Sequence, residues 1–162
     1  MHQEALEWVQ NQLTVEAPKS VIEIGSRDIN GTARMPGIEW FGIDLVPGTG
    51  VDKVVDACYF KPEAPVDCVV CCEVLEHAPD WAVMVLKACR WLKPGGCLLV
   101  TCAGPSRLAH SAQDGGSLRP NEYYKNISIE MMADLLEFGG LDGDVCYGRG
   151  RQDLLAKIKP RS

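Results

Sequence analysis

The stretch Val21-Ile22-Glu23-Ile24-Gly25-Ser26-Arg27-Asp28-Ile29-Asn30-Gly31 decides how this chain is read. An apolar run with one embedded carboxylate reaches Gly25 and then breaks into a small polar loop. In an open parallel sheet, ligands bind in the crevice at such strand ends. Gly25 lets the backbone turn sharply and approach a ligand with no Cβ in the way. The loop offers backbone N–H groups to polar ligand atoms. Glu23 is placed to accept a hydrogen bond from a ligand amine or from the loop itself. An ordinary β-turn after a buried strand is the competing reading, because short glycine motifs often match by chance. A second apolar run, Trp40-Phe41-Gly42-Ile43-Asp44, also ends in a carboxylate. Asp44 follows Gly25 by 19 residues. In dinucleotide folds an acid about 20 residues on reaches the ribose hydroxyls. Asp44 also suits the turn into Leu45-Val46-Pro47-Gly48, and the two roles are compatible.

At 162 residues the chain is expected to form one domain, 1–162, with a sizeable core. Its net charge is −6, with 16 Lys and Arg against 22 Asp and Glu and no basic cluster. Phosphate neutralisation supplies most non-specific nucleic-acid affinity, so bulk binding to DNA or RNA is disfavoured. No apolar run is long enough to span a membrane and no secretory leader is recognised, so no membrane partner is expected.

Eight cysteines are present. Cys68-Val69-Val70-Cys71 has the spacing of a zinc knuckle or redox pair, but it lies in a strand-like run. Residues three apart on a strand point to opposite faces and cannot share a metal. Buried cysteine acting as a small hydrophobe is the reading that fits. No metal site and no disulfide is expected, and free thiols in this number point to a cytoplasmic location.

Taken in order, His2–Val15 reads as an amphipathic helix and Ser20–Gly25 as the first strand. Glu39–Asp44 and Val51–Asp56 follow as strands, with little room for helices after the first and third. Val66–Glu73 is the most hydrophobic strand, suited to the centre of a sheet covered on both faces. Asp80 is expected to cap a helix whose apolar face is Trp81, Met84, Val85, Ala88 and Leu92. Lys93-Pro94-Gly95-Gly96 is expected to stop that helix before a fifth strand, Cys97–Thr101. Ala103–Ile127 is long, polar and aperiodic, which marks functional or disordered loops. Ser128 opens a last helix ended by Gly139-Gly140. Asp144–Tyr147 and Asp153–Ile158 close the chain as strands. The pattern predicts an α/β fold with a mostly parallel sheet and one antiparallel edge.

On four ordered pieces the chain resembles a small class I S-adenosylmethionine-dependent methyltransferase of the type 11-like kind. They are Glu23-Ile24-Gly25, Gly42-Ile43-Asp44, Val66-Asp67 leading to Cys72-Glu73-Val74-Leu75-Glu76-His77, and Leu92-Lys93-Pro94-Gly95-Gly96. The resemblance implies a Rossmann-like sheet of order 3-2-1-4-5-7-6 with strand 7 antiparallel. It implies S-adenosylmethionine as cofactor. Gly25, Ser26, Arg27 and Asn30 would then lie on the loop holding its methionine end, with Glu23 near the ammonium. Asp44 and Leu45 fall at the ribose, and Asp56 and Ala57 at the adenine. Cys72 and Glu73 fall beside the reactive end. The chain departs from the commoner motif in having Arg27 where a second glycine stands.

Methyl transfer from a sulfonium is an in-line displacement, so positioning supplies much of the acceleration. A general base is needed only where the acceptor must lose a proton. His77 and His110 are the candidates, each with a plainer role as a cap or a solvated loop residue. Arg107, His110, Arg119, Tyr123 and Tyr124 concentrate in Ala103–Ile127, which is expected to act as a mobile lid forming the acceptor site. The fourth-strand motif is not that of DNA amino methylation, and no Pro-Cys occurs for cytosine C5 chemistry. A small-molecule acceptor is the expected partner. Neither the acceptor atom nor an oligomeric state is singled out. A nicotinamide oxidoreductase would need Gly-x-Gly-x-x-Gly, which is absent. A non-catalytic binding or assembly module of the same fold is the alternative.

Overall fold

The computed structural model describes residues 2–29 and 31–161. Seven strands form one sheet in the order β3-β2-β1-β4-β5-β7-β6. They are β1 (Ser20–Ile24), β2 (Glu39–Asp44), β3 (Lys53–Val54), β4 (Val66–Cys72), β5 (Leu92–Ala103), β6 (Leu141–Gly148) and β7 (Asp153–Pro160). β1 to β5 pair in parallel, and β7 runs antiparallel to both β5 and β6. This is the expected strand order.

The two faces of the sheet are covered unequally. On one side α1 (Gln3–Glu16) lays Val9 and Leu13 against Val21, Cys68, Val70, Cys97 and Leu99. On the other, α2 (Trp81–Cys89) and α3 (Ile129–Gly139) cover Ile22, Ile24, Val69, Cys71, Leu98, Val100 and Leu154. Cys68 and Cys71 therefore serve opposite layers, as alternation along a strand requires. Cys68 Sγ lies 3.9 Å from Cys97 Sγ of the neighbouring strand, unbonded and buried. Among the described residues no helix joins β1 to β2 or β3 to β4. The connection after β1 still adds Ala33 to the α1 side of the core.

Two expectations are corrected. Leu92 and the Lys93-Pro94-Gly95-Gly96 run belong to β5, not to the helix and its stop. α2 already ends at Cys89, and pairing of Val66 with Leu92 carries the sheet back across the glycines through a register shift before Cys68. Asp80 precedes α2 without giving it a side-chain hydrogen bond. Ser128, by contrast, accepts from the Met131 N–H, and Gly140 closes α3 at φ 62°.

Asp67 fastens the sheet at the N-terminal ends of its strands. One carboxylate oxygen accepts from the Lys19 and Ser20 N–H groups and the Ser20 hydroxyl, and the other is 2.8 Å from Lys93 Nζ. The Lys93 ammonium, helped by the Ser20 and Lys19 donors, holds this carboxyl down to about 2. The opposite ends, where the strands finish, are left free to form a cleft.

Candidate active site

The C-terminal ends of β1, β2 and β4 open onto a cleft of about 1160 Å³. Its floor begins at Gly25, where φ is +72° and a Cβ would come within 2.2 Å of Val74 Cγ2. The turn thus brings two strand ends into contact at the cleft floor, which only glycine permits. Ser26, Arg27, Asp44, Leu45, Asp56 and Ala57 line the same space.

Asp44 organises the loops beside it. Its two oxygens accept from the N–H groups of Arg27 (3.2 Å) and Val46 (3.0 Å). A carboxylate has about four acceptor positions, so lone pairs remain for a ligand hydroxyl. Asp56 Oδ1 accepts from the Cys58 N–H at 2.7 Å, and the Asp56 carbonyl holds the turn through Tyr59 and Phe60. Ala57 is buried in that turn.

Glu23 is occupied within the protein. Arg34 Nε lies 2.7 Å from its Oε2, and Arg34 Nη2 donates to the Gly50 carbonyl. Burial pushes the Glu23 carboxyl up, and the Arg34 guanidinium opposes that. Glu23 thus reaches any ligand as one half of an ion pair. Arg27 contributes its backbone N–H to Asp44, while its side chain lies against Gly48 with Nε buried and unpartnered. Asn30 lies outside the described residues.

At the end of β4 the chain is densely functional. Cys72 borders the cleft, its thiol pushed up to about 12 by burial. Glu73 adopts φ 58°, a left-handed conformation that strains any residue but glycine and clusters at functional sites. Its side chain accepts from Thr101 Oγ1 at 3.0 Å and meets Arg107 Nη2 at 2.9 Å. A 3₁₀ turn, Leu75–His77, then points Leu75 and Glu76 inward and leaves His77 half-buried on the cleft wall. Glu76 is 0% exposed. Burial, followed by the charge of Glu73, pushes its carboxyl up to about 8. Burial, then His110, pushes the His77 imidazole down to about 4.

The segment between β5 and α3 supplies the opposite wall. His110 packs edge-to-face on His77 with ring centroids 4.9 Å apart, and Tyr124 packs edge-on against both. His110 Nδ1 is 3.1 Å from the Leu108 carbonyl oxygen. A carbonyl only accepts, so Nδ1 carries the proton and a neutral ring keeps its lone pair at Nε2. The segment is anchored more firmly than a free loop. Arg107 joins Glu73 to Asp153, Asn126 donates to the Gly104 and Arg107 carbonyls, and Ile127 is fully buried. Most of the exposure lies between Leu108 and Asn121.

The described residues expected at the cofactor line this cleft, as do His77, Arg107 and His110, whereas Arg119, Tyr123 and Tyr124 of the same segment do not; the two histidine rings meet at its wall. Sequence reasoning passed over Arg34, Glu76 and Thr101 as members of the site. Glu76 carried a signal: a carboxylate between Leu75 and His77 in a run otherwise bound for the interior.

A family profile described as a methyltransferase domain matches residues 1–145. A probable S-adenosylmethionine-dependent methyltransferase of Mycolicibacterium smegmatis is 33% identical over 100 residues, which cover 59% of this chain and 38% of that protein. Trans-aconitate 2-methyltransferase of Methylobacterium nodulans is 29% identical over 103 residues, covering 55% of this chain and 40% of its own length. The matched region thus spans well under half of these curated relatives. Among solved structures, 1,6-didemethyltoxoflavin-N1-methyltransferase of Burkholderia thailandensis superposes with a TM-score of 0.74 at 18% identity, over 97% of this chain and 79% of that one. At that identity the likeness speaks for the fold. With the profile covering most of its length, the chain belongs to the methyltransferase-domain family.

Proposed function

We propose that this methyltransferase takes a methyl group from S-adenosylmethionine and delivers it to a small-molecule acceptor held under residues 107–124. The observation that carries the reading is one cleft holding both halves of the task. Asp44, Asp56 and the Gly25 loop line one part of it, and His77 and His110, backed by Tyr124, another.

The residues present fit the cofactor. The Gly25 turn is a cradle that a Cβ would fill, and Asp44 retains acceptor capacity after holding Arg27 and Val46. Asp44 would hold the ribose hydroxyls. The Ala57 N–H and the Asp56 carboxylate would hold the adenine edge, and the Gly25–Arg27 loop the methionine end. When bound, S-adenosylmethionine supplies a methyl group activated by a sulfonium. Glu73, fixed by Thr101 and Arg107, sets the shape of the cleft beside Cys72. The aromatic wall of His77, His110 and Tyr124 gives a flat acceptor an apolar surface with polar ring nitrogens. The name of one curated relative describes a small-molecule acceptor, trans-aconitate.

Calorimetric titration with S-adenosylmethionine, followed by an acceptor screen for release of S-adenosylhomocysteine, tests the proposal. Micromolar binding with turnover on a small acceptor is expected. Binding without turnover on any acceptor would favour a non-catalytic module, and no binding would overturn the reading.

A further inference from the structure

We propose that Glu76, His77 and His110 form a binding site for one divalent first-row transition-metal ion on the acceptor side of the cleft. One ligand atom from each residue lies within 4.8 Å of the other two. His77 and His110 border the open cleft, while Glu76 backs them from the interior.

The donor atoms are unusually free of other partners. Glu76 Oε1 accepts from the Ala103 N–H at 3.1 Å, but Oε2 is fully buried with no hydrogen bond. His77 Nδ1 is likewise buried and unpartnered. His110 gives its Nδ1 proton to Leu108 and presents Nε2 at 4.0 Å from Glu76 Oε1. That separation is too long for a hydrogen bond. Buried polar atoms are seldom left unsatisfied, and an ion is one of the standard explanations. A metal-ligating imidazole characteristically donates its other ring nitrogen to a carbonyl, which fixes the tautomer and orients the ring. His110 has that arrangement.

Metal–ligand bonds of about 2.0–2.2 Å require the three donors to draw together by roughly 1 Å. The exposed part of the loop around His110 can supply this without disturbing Glu76, which is locked beneath it. Two imidazoles and one carboxylate select zinc or its neighbours over magnesium or calcium, which prefer oxygen. Three protein ligands leave coordination positions open, as catalytic sites do. Those positions face the acceptor space, so the acceptor class implied is one bearing a ligating oxygen, a hydroxyl or carboxylate. That last step rests on the proposed methyl transfer; the ion site itself does not. No spacing within the sequence announced it, because His110 lies 33 residues beyond His77.

The test is titration of tag-free, chelator-treated protein with Co²⁺ and with Zn²⁺, in the absence of methyl donor and acceptor. One ion per chain is expected, with a visible Co²⁺ d–d spectrum of nitrogen and oxygen ligation. Removing a ligand should weaken binding by more than the roughly 100-fold seen for outer-shell changes. His110→Ala serves first, since it lies on the loop; Glu76→Gln tests the buried ligand if circular dichroism shows it folded. No d–d spectrum in the parent protein, or unchanged affinity in folded His110→Ala, overturns the site. Unaltered S-adenosylmethionine affinity alongside such a failure would leave the proposed function standing. Where the ion binds, turnover insensitive to its removal overturns its part in holding the acceptor.

Discussion

Arg107 Nη1 stands 2.6 Å from Asp153 Oδ1, joining the segment after β5 to the first residue of β7. The same guanidinium reaches Glu73 through Nη2 at 2.9 Å. Asp153 is 1% exposed and also meets His2 Nδ1 at 2.9 Å. One cation thus fixes the strained end of β4, the antiparallel strand and the root of the loop carrying His110.

Arg107→Ala should therefore act as a core substitution although it lies in a loop. It strands the buried Asp153 carboxylate and should cost about 3 kcal/mol. Chemical denaturation checks the value, and Arg107→Lys should recover only part of it, since lysine lacks the two-pronged geometry. A change within about 0.5 kcal/mol would mean that the pairing contributes little.

Asp44→Ala should weaken S-adenosylmethionine binding by roughly 1.5–3 kcal/mol, about tenfold to more than a hundredfold in Kd. Asp44 also holds the Arg27 and Val46 N–H groups, so part of the loss comes from loosened loops. Asp44→Asn, which keeps one oxygen acceptor, should fall between the two by calorimetric titration. Equal affinity in folded Asp44→Ala would remove this residue from the cofactor site.

Gly25→Ala should lower stability by about 1–2 kcal/mol, the usual penalty for a left-handed non-glycine residue. It should also displace Val74, which the new Cβ would meet at 2.2 Å. Thermal melts and S-adenosylmethionine titration together check both effects. A folded variant with unaltered affinity would separate this turn from the ligand.

Asp67 supplies a pH signature away from the cleft. Its folded carboxyl is held down to about 2, chiefly by Lys93, against an unfolded value near 3.9. A depressed pKa stabilises the fold above the unfolded value, and the contribution fades as pH falls toward 2. Because Asp67 is partly exposed and Lys93 more so, its worth after screening is about 1 kcal/mol. The stability difference between the parent protein and Asp67→Ala should be near that figure above pH 5 and shrink by pH 3. Denaturation curves at several pH values measure it.

Hydrogen exchange should divide the acceptor-side segment. Amides flanking its anchors, such as Ile127 bonded to Ala103 and Lys125 bonded to Glu76, should exchange slowly in the free protein. The exposed stretch 108–121 should exchange fast and slow on binding cofactor or product. Uniformly slow exchange without ligand would mark the whole segment as fixed structure, contrary to a lid.

The sequence by itself marked most of the strands, and its resemblance to the methyltransferase family implied their order. The strands depend on short-range signals, such as the apolar runs ending at Gly25 and Asp44, each carrying its own turn chemistry. Parallel topology then brings those strand ends to one edge of the sheet. Local reading missed that Leu92 already pairs with Val66, so Lys93-Pro94-Gly95-Gly96 is a bulge inside β5 rather than a stop before it. How the segment after β5 meets the end of β4 was decided by the tertiary structure. Arg34, across the β1 connection, pairs with Glu23, and the fold buries the Glu76 carboxylate beside His110. Arg107, His110 and Tyr124 lie far along the chain from the β4 motif they complete. Their positions follow from how one aperiodic segment folds back over the sheet. No periodicity encodes that path; long-range ion pairs and ring packing fix it.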